Sequence, residues 1–291
     1  MSNIHPTENS YALDQESTVE MHRLLEQDLL LNQHMGGLFP LDSDLTTIHD
    51  ILDIACGPGG WAQEVAFAHR DKRVVGIDIS NAMLTYARAQ AGIQGLGNAR
   101  FLFMDATSPL LFPEASFDMV NARFLIGFMW KEAWPALVAE CVRVTRPGGM
   151  IRLTETDTSG MGVTNSVALE TINRMIMKAC SRSGRSFYPE EESNHLALTP
   201  MLPRFLEQAG CQAIREVPHM INYSAGTPAH SGICKNLQIA MKLVHPFLLK
   251  LRIAGSQELE TLYQQMLEEM QSDEFRGIWY FTSAYGRKPA S

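Results

Sequence analysis

Residues 51–60, "ILDIACGPGG", join an apolar strand to a glycine-rich loop. Glycines after a buried strand let a ligand approach the backbone closely, because no side chain stands in the way. Asp53 lies inside the strand, where an unpaired carboxylate is costly to bury. This stretch therefore predicts a ligand site, and the acid indicates a ligand that carries positive charge.

Strand and helix patterns alternate around this stretch, from residue 48 to residue 156. Strands are predicted at 48–56, 73–79, 99–104, 117–122 and 150–154, with helices at 60–70, from Ser80 to about Gly92, and near 131–144. This alternation favours right-handed crossovers and a parallel sheet that is covered on both faces. Ligands of such sheets bind beyond the carboxyl ends of the strands. Asp53, Asp78 and Asp105 all lie at those ends.

The flanking regions are predicted to complete and cover the sheet. Residues 1–46 contain an amphipathic helix that opens with the capping box "STVE". Further elements are predicted as a helix and a loop within 158–199, a helix at 200–209, a strand at 211–217, helices at 228–252 and 257–271, and a strand at 277–285. Because helices precede the last strand, an antiparallel seventh strand is expected.

Composition excludes several classes of function. The 291 residues carry a net charge of −8 with scattered basic residues, which disfavours nucleic acid and membrane surfaces as partners. Five cysteines without a C-x-x-C pair argue against a disulfide framework and a zinc site, and no metal-ligand constellation is visible. No run of about 18 apolar residues occurs. The sequence predicts a cytoplasmic protein without a metal site. It leaves open a homodimer and a magnesium ion on the two acids after the fifth strand, Glu155 and Asp157.

A dinucleotide site is a real alternative at this point. Residues 57–62, "GPGGWA", fit the pattern G-x-G-x-x-G/A, and Asp78 follows about 20 residues on. An NAD(P)-dependent oxidoreductase would use such a loop. Asp53 counts against it, because the loop and helix N-terminus of a dinucleotide site hold an anionic pyrophosphate. Asp105 adds a second unexplained carboxylate.

Five ordered motifs carry a more specific resemblance: "DIACGPGG", "VVGIDIS", "FMDAT", "FDMVNARF" and "RVTRPGGMIRL". Together they resemble class I S-adenosylmethionine-dependent methyltransferases, most of all the branch with ubiquinone/menaquinone and natural-product methyltransferases. The resemblance covers about residues 48–156 and departs at Ala55, where many relatives have glycine. It implies an α/β, Rossmann-like, seven-stranded, mostly parallel sheet with an antiparallel last strand. Within one overall domain, residues 1–46 would form a helical cap, 47–157 the cofactor core, and 158–291 the rest of the sheet with helical lid insertions.

The resemblance implies S-adenosyl-L-methionine as cofactor and S-adenosyl-L-homocysteine as product. Asp53 would pair with the cofactor's ammonium, and the backbone at Ala55 and Gly57 would meet its carboxylate end. Asp78 would accept hydrogen bonds from both ribose hydroxyls, which requires an acceptor-only side chain. Asp105 would accept from the adenine amino group.

Further cofactor contacts follow from the same resemblance. The Ala106 N–H would serve an adenine ring nitrogen, while Ile79 and Met83 cover the adenine faces. Asn121 lies where relatives bring the backbone near the methionine part. Tyr11 and the first helix would close over the bound cofactor.

The methyl acceptor is less well defined by the sequence. Transfer is an in-line displacement, so the protein mainly aligns a nucleophile and excludes water. Arg123 would hold an anionic substrate group or form a structural ion pair, Glu155 would line the pocket, and His230 is a candidate base. Methionines and aromatic residues near the sheet edge favour a hydrophobic or aromatic small molecule of secondary or quinone-like metabolism, methylated at oxygen or carbon.

Two further alternatives keep the cofactor but not the transfer. A cyclase or isomerase could use the sulfonium as a fixed positive charge without producing S-adenosylhomocysteine. A non-catalytic binding module is the other alternative, and the complete set of cofactor motifs argues against it.

Overall fold

The computed structural model describes residues 16–39 and 44–290. Its strands are β1 (Asp50–Ile54), β2 (Arg73–Asp78), β3 (Ala99–Phe103), β4 (Phe117–Arg123), β5 (Thr145–Glu155), β6 (Val163–Thr164), β7 (Gln212–Asn222) and β8 (Gly277–Arg287). Its α-helices are α1 (Thr18–His34), α2 (Gly60–Ala68), α3 (Asn81–Ile93), α4 (Trp134–Val144), α5 (Val167–Arg182), α6 (Met201–Gln208), α7 (His230–Lys250) and α8 (Ser256–Gln271). Within these residues, no helix has the length and apolar character that a bilayer crossing requires.

All eight strands form one mixed sheet in the order β3-β2-β1-β4-β5-β8-β6, with β7 paired to β8. Strands β1 to β5 are parallel, and β8 is antiparallel to both β5 and β7. The Rossmann-like α/β architecture and the antiparallel last strand are thus confirmed. The described residues contain eight strands rather than seven, because the two-residue β6 pairs with the first residues of β8.

Proline explains two differences from the predicted boundaries. The helix expected near 131–144 begins as a 3₁₀ turn, and α4 starts only at Trp134 with Pro135 in its first turn. Proline is favourable there because the first helical N–H groups have no intrahelical partner. Strand β7 continues past the predicted end at 217 through Pro218, which is opposite Thr282 of β8. An edge strand tolerates proline, since the missing N–H can face away from the sheet.

Both faces of the sheet are covered by apolar layers. Ile51 packs with Trp61 and Val65 of α2 on one face, whereas Leu52 and Ile54 join the larger cluster on the other. Strands buried on two faces are apolar along nearly their whole length. Asp53 breaks this pattern in β1, at the end of the strand that opens towards the candidate site.

Candidate active site

A cavity of about 530 Å³ lies at the carboxyl ends of the parallel strands. Its polar half is formed by the ends of β1, β2 and β3, with Asp53, Asp78 and Asp105 among its lining residues. Its apolar half lies under the caps and is lined by Phe124, Ile126, Phe128, Trp130, Ile176, Met177, Leu196, Met241, Val244 and Trp279. Helix α1 contributes Arg23, Leu24, Gln27 and Asp28 to the wall. The three acids predicted to meet at one sheet edge therefore do so.

Asp53 belongs to a polar row that crosses three adjacent strands. The sheet register places Asp53 beside Asn121 and Asn121 beside Arg152. The Asn121 amide donates to Asp53 Oδ1 at 2.6 Å, and Arg152 Nε donates to Asn121 Oδ1 at 2.6 Å. Burial raises the pKa of Asp53 to about 7, against the lowering effects of Arg123 and of the Asn121 hydrogen bond. Asp53 is therefore a buried acid that a cationic ligand would ionise.

Arg152 is a site residue that the sequence analysis missed. Its side chain is 1% exposed, donates from Nη1 to the Leu38 carbonyl at 2.9 Å, and stacks over Trp61 at 4.8 Å. Burial lowers the pKa of Arg152 to about 10. The available signal was the arginine inside the predicted strand "MIRLT", where an apolar residue is expected. Such a residue needs a buried partner, and the row from Asp53 supplies it.

The glycine-rich loop has a left-handed backbone at three of its residues. Gly57 has φ +54° and Gly59 has φ +80°, while Ala55 has φ +52°. A residue with a Cβ atom costs about 1–2 kcal/mol in this region, so Ala55 holds a conformation that glycine would adopt without strain. Asp78 holds the loop from β2, since its Oδ2 accepts from the Gly57 N–H at 2.8 Å. The second oxygen, Oδ1, accepts from the Ser80 N–H at 2.9 Å.

Asp28 of α1 occupies the N-terminus of α2, a second feature that the sequence analysis missed. Its carboxylate pairs with Arg123 at 2.9 Å and accepts a hydrogen bond from the Trp61 N–H. A Cβ atom on Gly60 would lie only 2.4 Å from Asp28 Oδ2. The helix N-terminus that a pyrophosphate would need thus already holds an anion from the chain itself.

The other predicted cofactor positions line the third-strand end of the polar half. Asp105 Oδ1 accepts from the Thr107 N–H at 2.8 Å and from the Thr107 hydroxyl at 2.7 Å, which closes a tight turn. Ile79, Met83 and Ala106 also line the cavity. Ile79 is 45% exposed, so its apolar side chain is available to a ligand.

Three predicted residues do not line the cavity, and a fourth is not described by the structure. Asn121 is fully buried within the polar row and does not line the cavity. Glu155 is also fully buried, and its Oε1 accepts from the Leu125 N–H at 2.5 Å. His230 lies outside the cavity, with Nδ1 2.9 Å from the Tyr223 carbonyl oxygen. Tyr11 lies outside the described residues.

Arg123 does line the cavity, although both of its terminal nitrogens contact α1. Nη2 donates to Asp28 and Nη1 donates to Asn32 Oδ1 at 3.1 Å. The structural ion pair considered from the sequence is therefore present. Across the described ranges, no group of three or more His, Cys, Asp or Glu side chains is placed to hold a metal ion.

Comparisons with known proteins agree with this geometry. Residues 51–149 match the model of a methyltransferase domain. Methyltransferase pytC of Aspergillus terreus is 25% identical over 254 residues, which cover 82% of this chain and 71% of that protein. Nocamycin O-methyltransferase of Saccharothrix syringae is 36% identical over 110 residues, covering 36% of this chain and 37% of that protein.

A solved structure extends the likeness to most of the chain at the level of the fold. It is phosphoethanolamine N-methyltransferase 2 of Haemonchus contortus in complex with S-adenosyl-L-methionine, with a TM-score of 0.53 and 18% identity. The comparison covers 94% of this chain and 57% of the other.

Proposed function

Because this chain belongs to the class I S-adenosylmethionine-dependent methyltransferases, we propose that it methylates a hydrophobic or aromatic small molecule at oxygen or carbon. The observation that carries the proposal is the single cavity that joins three strand-end acids to an apolar half. A cofactor with an ammonium and a ribose fits the first part, and an apolar acceptor fits the second.

The residues of the polar half fit S-adenosylmethionine. Asp53 is 4% exposed and has a raised pKa, so a partner with a positive charge would stabilise its ionised form. Asp78 lies at the end of the next strand, where it would accept hydrogen bonds from ribose hydroxyls. Asp105 and Ala106 follow on β3 and would meet the adenine edge, with Ile79 against its face.

The same half does not suit a pyridine dinucleotide. Asp28 already places a carboxylate at the N-terminus of α2, and Asp53 lies one strand end away. A pyrophosphate would meet two acids where it needs N–H donors and cations. This arrangement supports the methyltransferase proposal over the oxidoreductase alternative.

The apolar half supports an acceptor that buries much aromatic or aliphatic surface. Trp130 and Trp279 lie among its walls, together with Met177 and Met241. Flexible methionine side chains adapt to irregular apolar ligands, and aromatic walls favour flat ones. Thr156 and Ser159 add hydroxyls to the lining. Polar groups of this kind orient a ligand that is otherwise held by apolar contact.

The chemistry requires little of the chain beyond placement. S-adenosylmethionine would supply a methyl group that bonds to the nucleophile of the acceptor in line, with S-adenosylhomocysteine as the leaving group. Asp53 and the 55–59 loop would fix the amino acid end, while the apolar walls align the acceptor and exclude water. Arg123 would support α1 through Asp28 and Asn32 rather than hold an anionic group of the substrate.

Composition and relatives support the remaining parts of the proposal. The net charge of −8 and five free cysteines favour a cytoplasmic enzyme that acts on small molecules and does not bind nucleic acid. A natural-product acceptor is in keeping with the name of the Saccharothrix relative.

Calorimetry and a transfer assay test the proposal together. The purified protein should bind S-adenosylmethionine and S-adenosylhomocysteine, and NAD should give no heat. Incubation with methyl-labelled S-adenosylmethionine and an apolar metabolite extract should move label into an organic-soluble product. Binding without S-adenosylhomocysteine formation on any extract would favour the cyclase or isomerase alternative, and binding of NAD alone would refute the proposal.

A further inference from the structure

The turn at residues 124–128 forms one wall of the apolar half. It follows β4 directly, and Phe124, Ile126, Gly127 and Phe128 all line the cavity. Leu125 points the other way and is fully buried in the core. The conformation of this short turn therefore decides which side chains an acceptor meets.

The turn begins with a strained residue. Phe124 has φ +54° and ψ +44°, a left-handed conformation that is unfavourable for a residue with a Cβ atom. Its ring lies 5.9 Å from both Trp279 and Phe281, and its N–H donates to the Thr154 carbonyl at 2.8 Å. Such strain persists only where surrounding contacts fix the backbone, and it is common at binding sites.

Glu155 of β5 supplies the contact beneath the turn. Its Oε1 accepts from the Leu125 N–H at 2.5 Å, and the Ile126 N–H also donates to this carboxyl group. The side chain is fully buried, and among the described residues its Oε2 has no hydrogen-bond partner. Burial raises the pKa of Glu155 well above its usual range, against the lowering effect of the Leu125 and Ile126 N–H groups.

Glu155 thus connects the sheet to the wall without touching the cavity. The next residue, Thr156, lines the cavity, so strand and turn meet at the acceptor's position. Removing the carboxyl oxygens of Glu155 would leave the buried N–H groups of Leu125 and Ile126 without partners and would release the strained turn.

We propose that Glu155 is a positioning residue that sets the shape of the acceptor site by holding the 124–128 turn. This inference rests on the proposed function, because it assigns the apolar half to the methyl acceptor. It replaces the pocket-lining role that the sequence suggested for Glu155.

Three variants test the inference. Glu155→Gln keeps an oxygen that can accept from the Leu125 N–H, whereas Glu155→Leu keeps a similar size but removes this hydrogen-bond acceptor. Phe124→Gly relieves the strain and removes the aromatic wall. It replaces Glu155→Leu in the test if that variant does not fold. Binding of S-adenosylhomocysteine to the polar half is measured by calorimetry.

The apolar half is probed with 8-anilinonaphthalene-1-sulfonate, whose fluorescence is recorded at saturating S-adenosylhomocysteine. Ala240 of α7 lines this half, so Ala240→Trp fills it. The fluorescence that disappears in this variant is taken as the signal from the apolar half, and only that difference is compared.

We expect Glu155→Leu and Phe124→Gly to weaken probe binding about tenfold and Glu155→Gln to remain within about twofold of wild type. Affinity for S-adenosylhomocysteine should change less than about twofold in all three. Unchanged probe binding, equal losses of probe and S-adenosylhomocysteine binding, or a Gln variant as weak as the Leu variant would overturn the inference. If the wild type fails to bind S-adenosylhomocysteine, the proposed function fails first and the inference fails with it.

Discussion

Asp28 of α1 lies directly over Gly60, the first residue of α2. A Cβ atom at Gly60 would come within 2.4 Å of Asp28 Oδ2 and 3.0 Å of Asp28 Cβ. The last glycine of "GPGG" is therefore needed for the close approach of α1, whereas Gly57 and Gly59 are needed for the left-handed loop. The loop therefore leaves room for helix α1 of the same chain as well as for a ligand.

Replacing Gly60 by alanine should weaken cofactor binding without unfolding the protein. Alanine is a better helix former by about 1 kcal/mol, but the new methyl group must displace Asp28 and with it the α1 wall. We expect about a tenfold loss of S-adenosylhomocysteine affinity by calorimetry, with a thermal midpoint close to that of wild type.

Two further variants separate the collision from helix propensity. Gly92 of α3 has open space around its Cβ position, so Gly92→Ala should leave affinity unchanged. Adding Asp28→Ala to Gly60→Ala removes the colliding group and should recover part of the affinity. If Gly60→Ala bound S-adenosylhomocysteine with wild-type affinity, the close contact between Asp28 and Gly60 would not matter for binding.

The buried Asp53 makes both stability and binding depend on pH, with opposite signs. Its folded pKa of about 7 lies above the ordinary 3.8, so the ligand-free folded state retains a proton that the unfolded state releases. Asp53 should therefore contribute a fall in stability as the pH rises from about 4 to about 7, and Asp53→Asn should make the slope smaller by that contribution. Urea unfolding across this range measures it.

Binding of an ammonium requires the ionised carboxylate, so affinity should rise as the pH approaches 7. At pH values below the pKa of Asp53, affinity should rise by at most about tenfold per pH unit, because one proton is released on binding. Calorimetry with S-adenosylhomocysteine, in two buffers of different ionisation enthalpy, reports that proton. Equal affinity at about pH 5.5 and about pH 7 would show that Asp53 is already ionised in the free protein.

Arg152 should matter for both the fold and Asp53. It is fully desolvated and donates to Asn121, which in turn donates to Asp53. Arg152→Met should lower the free energy of unfolding by about 3 kcal/mol, because breaking a buried charged network leaves partners unpaired. It should also raise the pKa of Asp53 further, since a nearby positive charge is lost. The exposed Arg100 offers a control, and Arg100→Met should change stability by less than about 0.5 kcal/mol.

The fold was accessible from sequence because its signals are local and repeated. Apolar strands alternate with capped helices from β1 to β5, and each predicted acid stands at a strand end. Ser80 caps α3 as expected, with its hydroxyl accepting from the Met83 N–H at 3.2 Å. Parallel topology then brings Asp53, Asp78 and Asp105 together without further information.

The missed features depend on contacts between distant segments. Asp28 is 32 residues before Gly60 in the chain, and nothing in helix α1 alone marks it as a cap for α2. The partner of Glu155, the Leu125 N–H, follows from the strained turn after β4, which composition does not reveal. His230 was a candidate only because it opens a helix, and tertiary structure places that end of α7 outside the cavity.

The two acids beyond β2 and β3 should differ in their importance for the cofactor. Asp78 ties the glycine-rich loop to β2 through the Gly57 N–H, whereas the Asp105 side chain, within the described part of the chain, bonds to neighbouring Thr107 and Ser108. Asp78→Asn turns an acceptor into a donor that faces the Gly57 or Ser80 N–H, so loop and ribose contact are both lost. We expect S-adenosylhomocysteine affinity to fall about 100-fold in Asp78→Asn and less than about tenfold in Asp105→Asn. Calorimetry on both variants decides the ranking, and a larger loss in Asp105→Asn would mean that the adenine end, not the loop, dominates binding.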